Sequence, residues 1–494
     1  MKKFRVEKTL KTNSGSIRLG HLQLPVSSSG VVEDGDKKRS SERKNDYGTP
    51  MFFLHTQTGS IPHITAEVLQ LIYPTSTPSI SSQTPPVQIS LDSTTKFMDA
   101  LKKFGKGVGK FVGLSDYPIF LTVHDPLYLL RSGHNDKFGI ALWSRHGRRP
   151  LSPQQYHEAA TAFKPSICQV LSDYDVNPKI SGTKRLQKSL DRAEEYTSCI
   201  IKQQETEPKN EALGLFITVE ASWFQMDEGR ATKTVLKLLE SQHQIEGVVL
   251  AGLTDRFPKK DVEVKKNPSG KGSSGERERV DICQALDVDL LEKILQTLPP
   301  GLPKYIPGPL RIPEMMDLIA KGVDIFDSSV ASRMADDAEV FLLDSVEALL
   351  PSISSTVVKL SSSLNEGLPE RESNEKNQPS REDEEGAVVS LKNKKYFDDF
   401  GPLSSFCVCY TCRKHTRSYI HHLYATDELL GPVLIQIHNL TALDRFFSIM
   451  RTLIKECDTP ESLQTKLDLI RNLLNNRILR QAEEEEKVAV QAHV

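Results

Sequence analysis

Three cysteines and one distant histidine constrain this chain more than any other feature of its sequence. Cys407, Cys409 and Cys412 lie in the stretch FCVCYTC, and His438 follows in IQIHNL. Three thiolates and one imidazole complete the tetrahedral shell of a structural zinc site, with no position left open for a substrate. The pattern therefore predicts a zinc ion that stabilises the C-terminal part of the chain and takes no part in catalysis.

The sequence leaves two alternatives to this ligand set open. His421 and His422 lie between the third cysteine and His438, and either could supply the fourth ligand from within a helix. The C-x-C-x-x-C spacing could also be a chance arrangement of free thiols. The remaining cysteines are Cys168, Cys199, Cys283 and Cys457. Their scatter favours ordinary thiols in a reducing compartment over a disulfide framework.

Composition excludes some classes of protein. The 494 residues carry a net charge of -2, which does not suggest a nucleic-acid-binding protein by charge alone, although a local basic face remains compatible with it. The basic N-terminal stretch MKKFRVEKTLKTNSGS lacks a following apolar segment, so no signal peptide is predicted. We also expect no membrane-spanning helix, because no stretch is long and apolar enough.

Three hydrophilic stretches divide the chain. They lie near residues 27–46, 265–279 and 362–394, and they are rich in Gly, Ser, Pro and charge. Such segments cannot bury enough apolar surface to offset the entropy lost on ordering. We therefore predict an N-terminal region and barrel body over 1–361 with two flexible inserts, a disordered insert over 362–394, and a zinc-binding subdomain with C-terminal helices over 395–494.

Between these inserts, short apolar runs alternate with helical stretches. The predicted strands are YPIFLTV (117–123), FGIALW (138–143), SICQVL (166–171), LGLFITV (213–219), GVVLAG (247–252), PKYIPG (303–308), VDIFD (323–327) and AEVFLLD (338–344). Ser152 and Gln155 predict a capping box at the start of one helix, and Gly322 predicts the end of another. The alternation predicts a parallel α/β fold, and about eight strands favour a closed (β/α)8 TIM barrel over an open doubly wound sheet.

The C-terminal region is predicted to be helical. The last amphipathic stretch has one apolar stripe, formed by Leu463, Leu467, Ile470, Leu474 and Ile478. Such a stripe packs either against the chain's own core or against another subunit.

The segment CVCYTCRKHTRSYIHHLYATDELLGPVLIQIHNL closely resembles the zinc module of the tRNA-guanine transglycosylases, also called queuine tRNA-ribosyltransferases. The common features are the cysteine triplet, the basic aromatic helix with paired histidines, and a final ligand in an H-N pair. Four other stretches are similar to parts of the same family: TPMFFLHTQTGSIPHIT, KSLDRAEEY, EGVVLAGL and LPKYIPGPLRIPEMMDLIAKGVDIFDSS. The resemblance implies a (β/α)8 barrel with an inserted subdomain that binds one structural zinc ion.

The resemblance also implies a reaction. Members of the family replace guanine with queuine, or with a related 7-deazaguanine, at the wobble position of tRNAs with GUN anticodons (those for Asp, Asn, His and Tyr). An aspartate attacks the ribose anomeric carbon and forms a covalent intermediate, while a second aspartate is implicated in proton transfer. Asp327 in VDIFDSS matches the position of the nucleophile.

The pattern around that nucleophile is broken in this chain. Ser328 and Ala331 stand where catalytic members have cysteine and proline, although Arg333 is retained. The stretch matching T-D-S-G-G-F reads LTVHDPLYLL, so that Asp125 is nearby but the serine and glycines of the turn are missing.

Two further positions bear on the base pocket. The first glycine of the family's pair is Ala251, followed by Gly252, and a methyl group there would crowd a bound base or phosphate. Near the substrate-reading aspartate the chain has SDYD, which keeps a carboxylate at Asp173.

These departures resemble the accessory one of the two paralogous eukaryotic subunits, and they predict no catalytic residues in this chain. The resemblance implies a heterodimer with a catalytic subunit, docked with pseudo-twofold symmetry through the zinc subdomain. A basic cluster beside the zinc could meet tRNA phosphates, or could be a solvated or partner-facing surface. It comprises Arg413, Lys414, His415 and Arg417.

Two other functions remain open at this point. One is an active tRNA-guanine transglycosylase with Asp327 as its nucleophile. The other is a zinc-stabilised tRNA-binding or scaffold protein unrelated to base exchange. The resemblance also implies a cytoplasmic location with peripheral association at the mitochondrial outer membrane.

Overall fold

The computed structural model describes residues 4–12, 15–25, 44–73, 84–131, 134–144, 147–206, 213–240, 245–253, 279–280, 282, 286–354 and 387–474. In chain order its strands are β1 (Phe4–Thr12), β2 (Gly15–Pro25), β3 (Lys44–Thr49), β4 (Met51–His55), β5 (Val87–Ser90), β6 (Ile119–Thr122), β7 (Ile140–Ser144), β8 (Gly147–Leu151), β9 (Ile167–Gln169), β10 (Gly214–Glu220), β11 (Ile245–Ala251), β12 (Lys304–Tyr305), β13 (Ile325–Asp327), β14 (Glu339–Phe341) and β15 (Val388–Ser390). The α-helices are α1 (Ala66–Ile72), α2 (Leu91–Thr94), α3 (Met98–Phe104), α4 (Val108–Val112), α5 (Pro153–Phe163), α6 (Thr183–Glu205), α7 (Ala221–Met226), α8 (Glu228–Glu240), α9 (Val288–Thr297), α10 (Ile312–Lys321), α11 (Ser329–Asp337), α12 (Asp344–Ile353), α13 (Tyr410–Lys414), α14 (Arg417–Ala425), α15 (Leu430–Glu456) and α16 (460–474). No helix within these described ranges combines the length and apolar character that crossing a membrane requires.

Eight parallel strands close into a barrel in the order β10-β11-β12-β13-β4-β5-β6-β9, which confirms the predicted (β/α)8 fold. The carboxyl-terminal ends of these strands form one face, here called the mouth, where barrel enzymes place their active sites. The two helix-boundary predictions are also confirmed. Ser152 and Gln155 form the capping box of α5, and Gly322, with a φ of 100°, ends α10.

Two of the predicted barrel strands lie outside the barrel. FGIALW supplies β7, which pairs antiparallel with β8 as a hairpin, and AEVFLLD supplies β14, which pairs antiparallel with β15. Their places in the barrel are taken by β4 and β5, in the stretches MFFLH and VQIS. An apolar run indicates that a strand is buried but not which strand it pairs with. The predicted number of barrel strands was therefore right, but two of the segments assigned to the barrel were wrong.

Aromatic side chains fill the interior of the barrel. Phe53, Phe120, Phe216 and Tyr305 are all buried, and the ring of Phe120 lies 4.8 Å from that of Phe53 and 5.3 Å from that of Tyr305. The antiparallel sheet of β1, β2 and β3 adds side chains to the same cluster at the amino-terminal end of the barrel. Because the interior is a packed core, the mouth is the end at which a substrate could bind.

The C-terminal helices pack against the barrel. Phe447 of α15 contacts Phe52 and Phe326, with ring centroids 5.5 Å apart in both cases. On α16, four residues of the predicted apolar stripe are buried in the main core: Leu463, Leu467, Ile470 and Leu474. The stripe therefore packs on the chain's own core at these positions, and Ile478 lies outside the described residues.

The three predicted inserts lie mostly outside the described residues. Two of the insert boundaries predicted from composition differ from the structure. Strand β3 begins at Lys44, within the first stretch, and β15 lies within the third stretch because it pairs with β14. Regular structure is therefore present before residues 46 and 394, earlier than the composition predicts.

Candidate metal centre and barrel mouth

The fold brings the four predicted metal ligands together. The Sγ atoms of Cys407, Cys409 and Cys412 and a ring nitrogen of His438 all lie within 4.8 Å of one another. The His438 Nδ1 is 3.2 Å from the Cys412 Sγ and 3.7 Å from the Cys409 Sγ. A sulfur and a nitrogen bound to one tetrahedral zinc ion would be about 3.5 Å apart, so these separations suit the ion.

Two short elements orient the cluster. Cys409 is the N-cap residue of α13, and its Sγ accepts the backbone N–H of Cys412 at 3.4 Å, which turns both thiols to the same side. His438 lies within α15, and its Nε2 donates to the carbonyl oxygen of Phe341 at 2.8 Å. Because this bond keeps one ring proton on Nε2, Nδ1 faces the thiols, and a bound metal would take the place of any proton on Nδ1.

The electrostatics of the cluster also fit a cation. Hydrogen bonds with Cys407 and Cys412 hold the pKa of the Cys409 thiol well below its usual range, whereas Cys407 and Cys409 raise the pKa of Cys412. Burial opposes a charge on His438, but the neighbouring thiols outweigh it and raise the pKa of its imidazole. Without a cation among them, thiols this close cannot all ionise, because their negative charges repel one another. Three thiolates with one imidazole are the donor set of structural zinc, which when bound would add folding free energy.

The two rival histidines lie apart from this cluster. His421 Nδ1 is 2.6 Å from the carbonyl oxygen of Leu391, and His422 is exposed. Neither belongs to the group of side chains that could share an ion. His438 is therefore the candidate for the fourth ligand.

The residue after His438 reinforces its placement. Asn439 Oδ1 accepts the backbone N–H of Phe341 at 3.0 Å, and its Nδ2 donates to the carbonyl oxygen of Glu339 at 3.0 Å. The consecutive pair thus bonds α15 to β14, the strand that follows the last barrel helix. The helix that carries the candidate fourth ligand is therefore bonded to β14 at two consecutive residues.

Asp327, at the position of the family's nucleophile, has 0% of its surface exposed. Its Oδ2 accepts hydrogen bonds from the Tyr305 hydroxyl at 2.8 Å and the Gly308 N–H at 2.9 Å. Its Oδ1 accepts the Ser329 N–H at 2.9 Å. Burial raises the pKa of the Asp327 carboxyl, although these donors oppose the shift. Attack on a ribose would require an exposed carboxylate, and both oxygens of this one are engaged inside the protein.

The altered residues around Asp327 make packing contacts. Ser328 Oγ accepts the backbone N–H of His55 at 2.9 Å, which joins β13 to β4. Ala331 is buried in α11. Arg333 pairs with Asp337 one turn further along that helix, at 3.3 Å. The Ser328 bond joins the start of α11 to the barrel, whereas the Arg333 pair lies within the helix.

Asp125 lies at the mouth within a buried network. Its Oδ1 is 2.9 Å from the Nε2 of His55, and its backbone N–H donates to both carboxylate oxygens of Asp92 at 3.1 Å. Asp125 and His55 are each only 1% exposed. Burial opposes a charged His55, but Asp125 outweighs it and raises the pKa of the imidazole. The carboxylate is committed to an internal ion pair, and proton exchange with a substrate would require it to move.

Asp173 is retained, but as an internal anchor. Arg185 binds both of its oxygens, at 2.6 and 2.7 Å, and Arg192 binds Oδ2 at 2.7 Å. Asn135 donates to its Oδ1 at 2.9 Å. Burial would raise the pKa of Asp173, but these donors together hold it below its usual range. A fully buried carboxylate with this many donors has little capacity left to read a base.

A residue that the sequence analysis missed, Glu220, lies beside the paired-glycine position. Its Oε1 accepts the hydroxyl of Ser172 at 2.5 Å. A Cβ atom placed on Gly252 would lie 3.5 Å from the Glu220 Oε2, so this carboxylate lies over the glycine, while the adjacent Ala251 is itself buried. In the sequence, Glu220 directly follows the predicted strand 213–219. That position is the feature from which its place at the mouth could have been predicted.

The predicted basic cluster beside the metal is smaller than its sequence indicates. Arg413 and Lys414 are exposed. Arg417 is bonded to Asp399 at 3.3 Å and to a backbone carbonyl, and burial lowers the pKa of His415. Two of the four residues therefore present a cation to solvent.

The metal-binding subdomain exposes an unusual number of large apolar side chains. Among the most exposed are Phe397 at 74%, Phe400 at 76% and Leu429 at 86%. The apolar surface of the subdomain consists of Phe397, Phe400, Phe406, Val408, Tyr410, Tyr419, Leu429 and Leu430. Half of the sixteen exposed large apolar residues of the described chain lie in this subdomain, and such a concentration favours a protein interaction surface. Nothing in the sequence marks these residues as exposed, because an apolar residue is ordinarily expected to be buried.

Comparisons with known proteins agree with this geometry. The sequence profile of the family described as "Queuine tRNA-ribosyltransferase" matches residues 18–470. The "Queuine tRNA-ribosyltransferase accessory subunit 2" of Caenorhabditis briggsae is 30% identical over 413 residues, which cover 82% of this chain and 91% of that protein. Proteins with the same description from Ixodes scapularis and Gallus gallus are 28% and 26% identical, over 79% and 87% of this chain and 86% and 91% of their own lengths.

Proposed function

This chain belongs to the queuine tRNA-ribosyltransferase family, and we propose that it is the non-catalytic accessory subunit of a heterodimeric enzyme of that family. The catalytic paralogue would exchange guanine for queuine at the wobble position of tRNAs with GUN anticodons, those for Asp, Asn, His and Tyr. The names of its relatives support the accessory role, because three of them carry that description over most of the chain.

The burial of Asp327 carries this proposal. Base exchange needs a carboxylate that can reach the ribose carbon and a second group that moves a proton. In this chain Asp327 has no exposed surface, and Asp125 is buried at the mouth and paired with His55. Catalysis by Asp327 would require the mouth to rearrange before a nucleotide could enter.

The apolar surface of the metal-binding subdomain supports a partner. Burying a large apolar side chain on association contributes about 1.5–3 kcal/mol, so eight such residues can supply a stable interface. The catalytic subunit shares the family fold, so a pseudo-twofold contact through the two metal-binding subdomains suits these residues. A structural zinc ion held by Cys407, Cys409, Cys412 and His438 would keep that surface in shape.

Reconstitution tests the proposal. The full chain is mixed with the catalytic paralogue, and the molar mass of the complex and its exchange of tRNA guanine are measured. We expect a one-to-one complex whose exchange rate exceeds that of either subunit alone. A chain that remains separate from the paralogue, or that leaves its exchange rate unchanged, contradicts the accessory role.

We also propose a cytoplasmic location with a peripheral contact at the mitochondrial outer membrane, as the family resemblance implies. Fractionation of cells that express the tagged chain tests this. Recovery in the soluble fraction together with salt-extractable material on mitochondria supports it, whereas recovery in another compartment contradicts it.

A further inference from the structure

Strand β7 of the β7–β8 hairpin, with the residue before it, is bonded to two neighbouring elements at the mouth of the barrel. It belongs to the connection between β6 and α5, which begins at the carboxyl-terminal end of a barrel strand. The Tyr174 hydroxyl donates to the carbonyl oxygen of Ala141 at 2.9 Å, and the Tyr196 hydroxyl donates to that of Gly139 at 3.0 Å. These bonds join the hairpin and its approach to the loop after β9 and to α6. The hairpin is thus bonded into the rim.

One strand of this hairpin is buried in the core, and the other strand presents basic side chains to solvent. Ile140, Ala141 and Leu142 of β7 are each 2% exposed, so the inner strand is anchored in the barrel. The opposite strand, β8, presents Arg148 and Arg149 to solvent. The approach to the hairpin adds two more exposed cations, which are Arg131 and Lys137.

Trp143 lies beside two of these cations, Arg131 and Arg148. The Arg131 guanidinium carbon lies 5.4 Å from the centroid of the Trp143 ring, in a cation–π contact. Arg148 is directly opposite Trp143 in the β7–β8 register, so the two side chains share a face of the hairpin. A guanidinium held against an aromatic ring loses less freedom on binding an anion than a free one does.

The cations of the hairpin are not neutralised by the nearby chain. Within the described residues, no carboxylate forms an ion pair with Arg131, Lys137, Arg148 or Arg149. The nearest acidic residue in sequence, Asp136, uses its Oδ1 to accept two backbone N–H groups of its own turn. Asp136 is itself charged, so these four cations are accompanied by one carboxylate and the patch has a net positive charge.

We propose that this hairpin binds the sugar–phosphate backbone of the tRNA on which the complex acts. The inference rests on the proposed function and deepens it, since it places the RNA contact of this subunit on a named element. Guanidinium groups on such a ribbon match phosphate oxygens in geometry and charge. The position at the rim is where an RNA entering between two barrels would pass.

The surface favours RNA over an acidic protein. The exposed apolar residues that suit a protein partner lie in a different part of the fold, on the metal-binding subdomain. On the approach to the hairpin, the exposed Phe138 ring is covered by the Lys137 ammonium at 4.9 Å. Arginine with one half-buried aromatic ring is the composition of a nucleic-acid surface.

A salt-dependence experiment tests the hairpin in the reconstituted complex. The variant is R148A/R149A, and the matched control is K188A/K233A, which removes the same charge from exposed positions on α6 and α8. Binding of substrate tRNA is measured over a range of salt concentrations. We expect the slope of log affinity against log salt to fall by about 2, and affinity near 0.15 M salt to fall roughly ten- to thirtyfold. The control should bind as the unaltered complex does.

Three outcomes would overturn the proposal. One is an unchanged slope and affinity in R148A/R149A. Another is an equal loss in the control pair, since that would show only a general effect of net charge. The third is loss of the catalytic subunit from the complex with RNA affinity unaltered, which would make the hairpin a protein contact. Failure of the unaltered chain to join the paralogue would instead refute the proposed function, and tRNA binding by the full chain alone would then decide the hairpin's role.

Discussion

His438 donates its Nε2 proton to the carbonyl oxygen of Phe341 at 2.8 Å, and this single bond turns Nδ1 toward three thiols. It links the metal centre to the strand that follows the last barrel helix. The imidazole thus adds to the contacts by which α15 joins the metal-binding subdomain to the rest of the fold, such as those of Phe447 with the barrel. Loss of the metal is expected to loosen this junction.

Replacing one thiol tests the metal site. Cys409→Ser removes a ligand that also caps α13, so we expect loss of nearly all bound zinc and a melting temperature lower by several degrees. Metal analysis and calorimetry measure both effects. Cys199→Ser, at a half-buried position on α6 outside the cluster, is the control and should keep its zinc. Full zinc content in Cys409→Ser would remove this residue from the ligand set.

The pair of bonds made by Asn439 gives a second prediction. Asn439→Ala leaves the backbone N–H of Phe341 buried and without its acceptor, so the free energy of unfolding should fall by about 1–3 kcal/mol. Urea unfolding measures the change. Thr441→Ala, on the same helix, loses only a bond to its own helix and should cost much less. Equal losses of unfolding free energy in the two variants would show that the contact with β14 contributes no more to stability than a bond within the helix.

The buried carboxylate at the nucleophile position gives a third prediction. Asp327→Asn in this chain should change guanine exchange by the reconstituted complex by less than about twofold, because we assign the chemistry to the partner. The matched control is the same substitution at the nucleophile of the catalytic subunit, which should abolish exchange. Gel analysis of denatured samples would detect a covalent tRNA adduct. An adduct on this chain that vanishes in Asp327→Asn would falsify the accessory role.

Lys304 makes stability depend on pH. Burial lowers the pKa of its ammonium from 10.5 to about 7, with a further contribution from Arg18, and Asp324 opposes the shift. Between pH 7 and 10 the unfolded chain thus binds a proton that the folded chain does not. Unfolding free energy should accordingly rise with pH across this window, by a few kcal/mol for this group.

Comparison with Lys304→Met isolates this contribution. The methionine cannot titrate, so the variant should lose most of the rise between pH 7 and 10 while retaining the backbone bond to Asp324. Denaturant unfolding at a series of pH values measures the difference between the two proteins. Parallel pH profiles for both would show that Lys304 keeps an ordinary pKa in the folded state.

The apolar surface of the metal-binding subdomain gives a prediction about assembly. Leu429→Ser changes a side chain that is 86% exposed, so the isolated chain should keep its stability. Binding to the catalytic subunit should weaken about tenfold or more, because apolar area is lost from the interface. Leu236→Ser, at a 47% exposed position on α8, is the matched control. Titration calorimetry compares them, and equal affinities would place the interface elsewhere.

The sequence predicted those features whose chemistry is local. Thiols and an imidazole at metal spacing suggest a site by residue type alone, so the candidate ligands that the fold brings together, from Cys407 to His438, could be proposed from the sequence. Strand pairing is not local, and for that reason Ile140–Ser144 and Glu339–Phe341 were assigned to the wrong sheet.

Other features required the three-dimensional arrangement. The arginines that occupy Asp173 lie 12 and 19 residues away along the chain, and nothing in their spacing marks them as its partners. The exposure of Phe400 also had no sequence signal, since an apolar residue is ordinarily predicted to be buried.

Incorporation of labelled guanine into substrate tRNA decides between an accessory and a catalytic role. It is measured with this chain alone, with the catalytic paralogue alone, and with both together. We expect no incorporation above background by this chain alone and rapid incorporation by the pair. Sustained incorporation by this chain alone, lost on substitution of Asp327, would contradict the conclusion that its mouth is closed to chemistry.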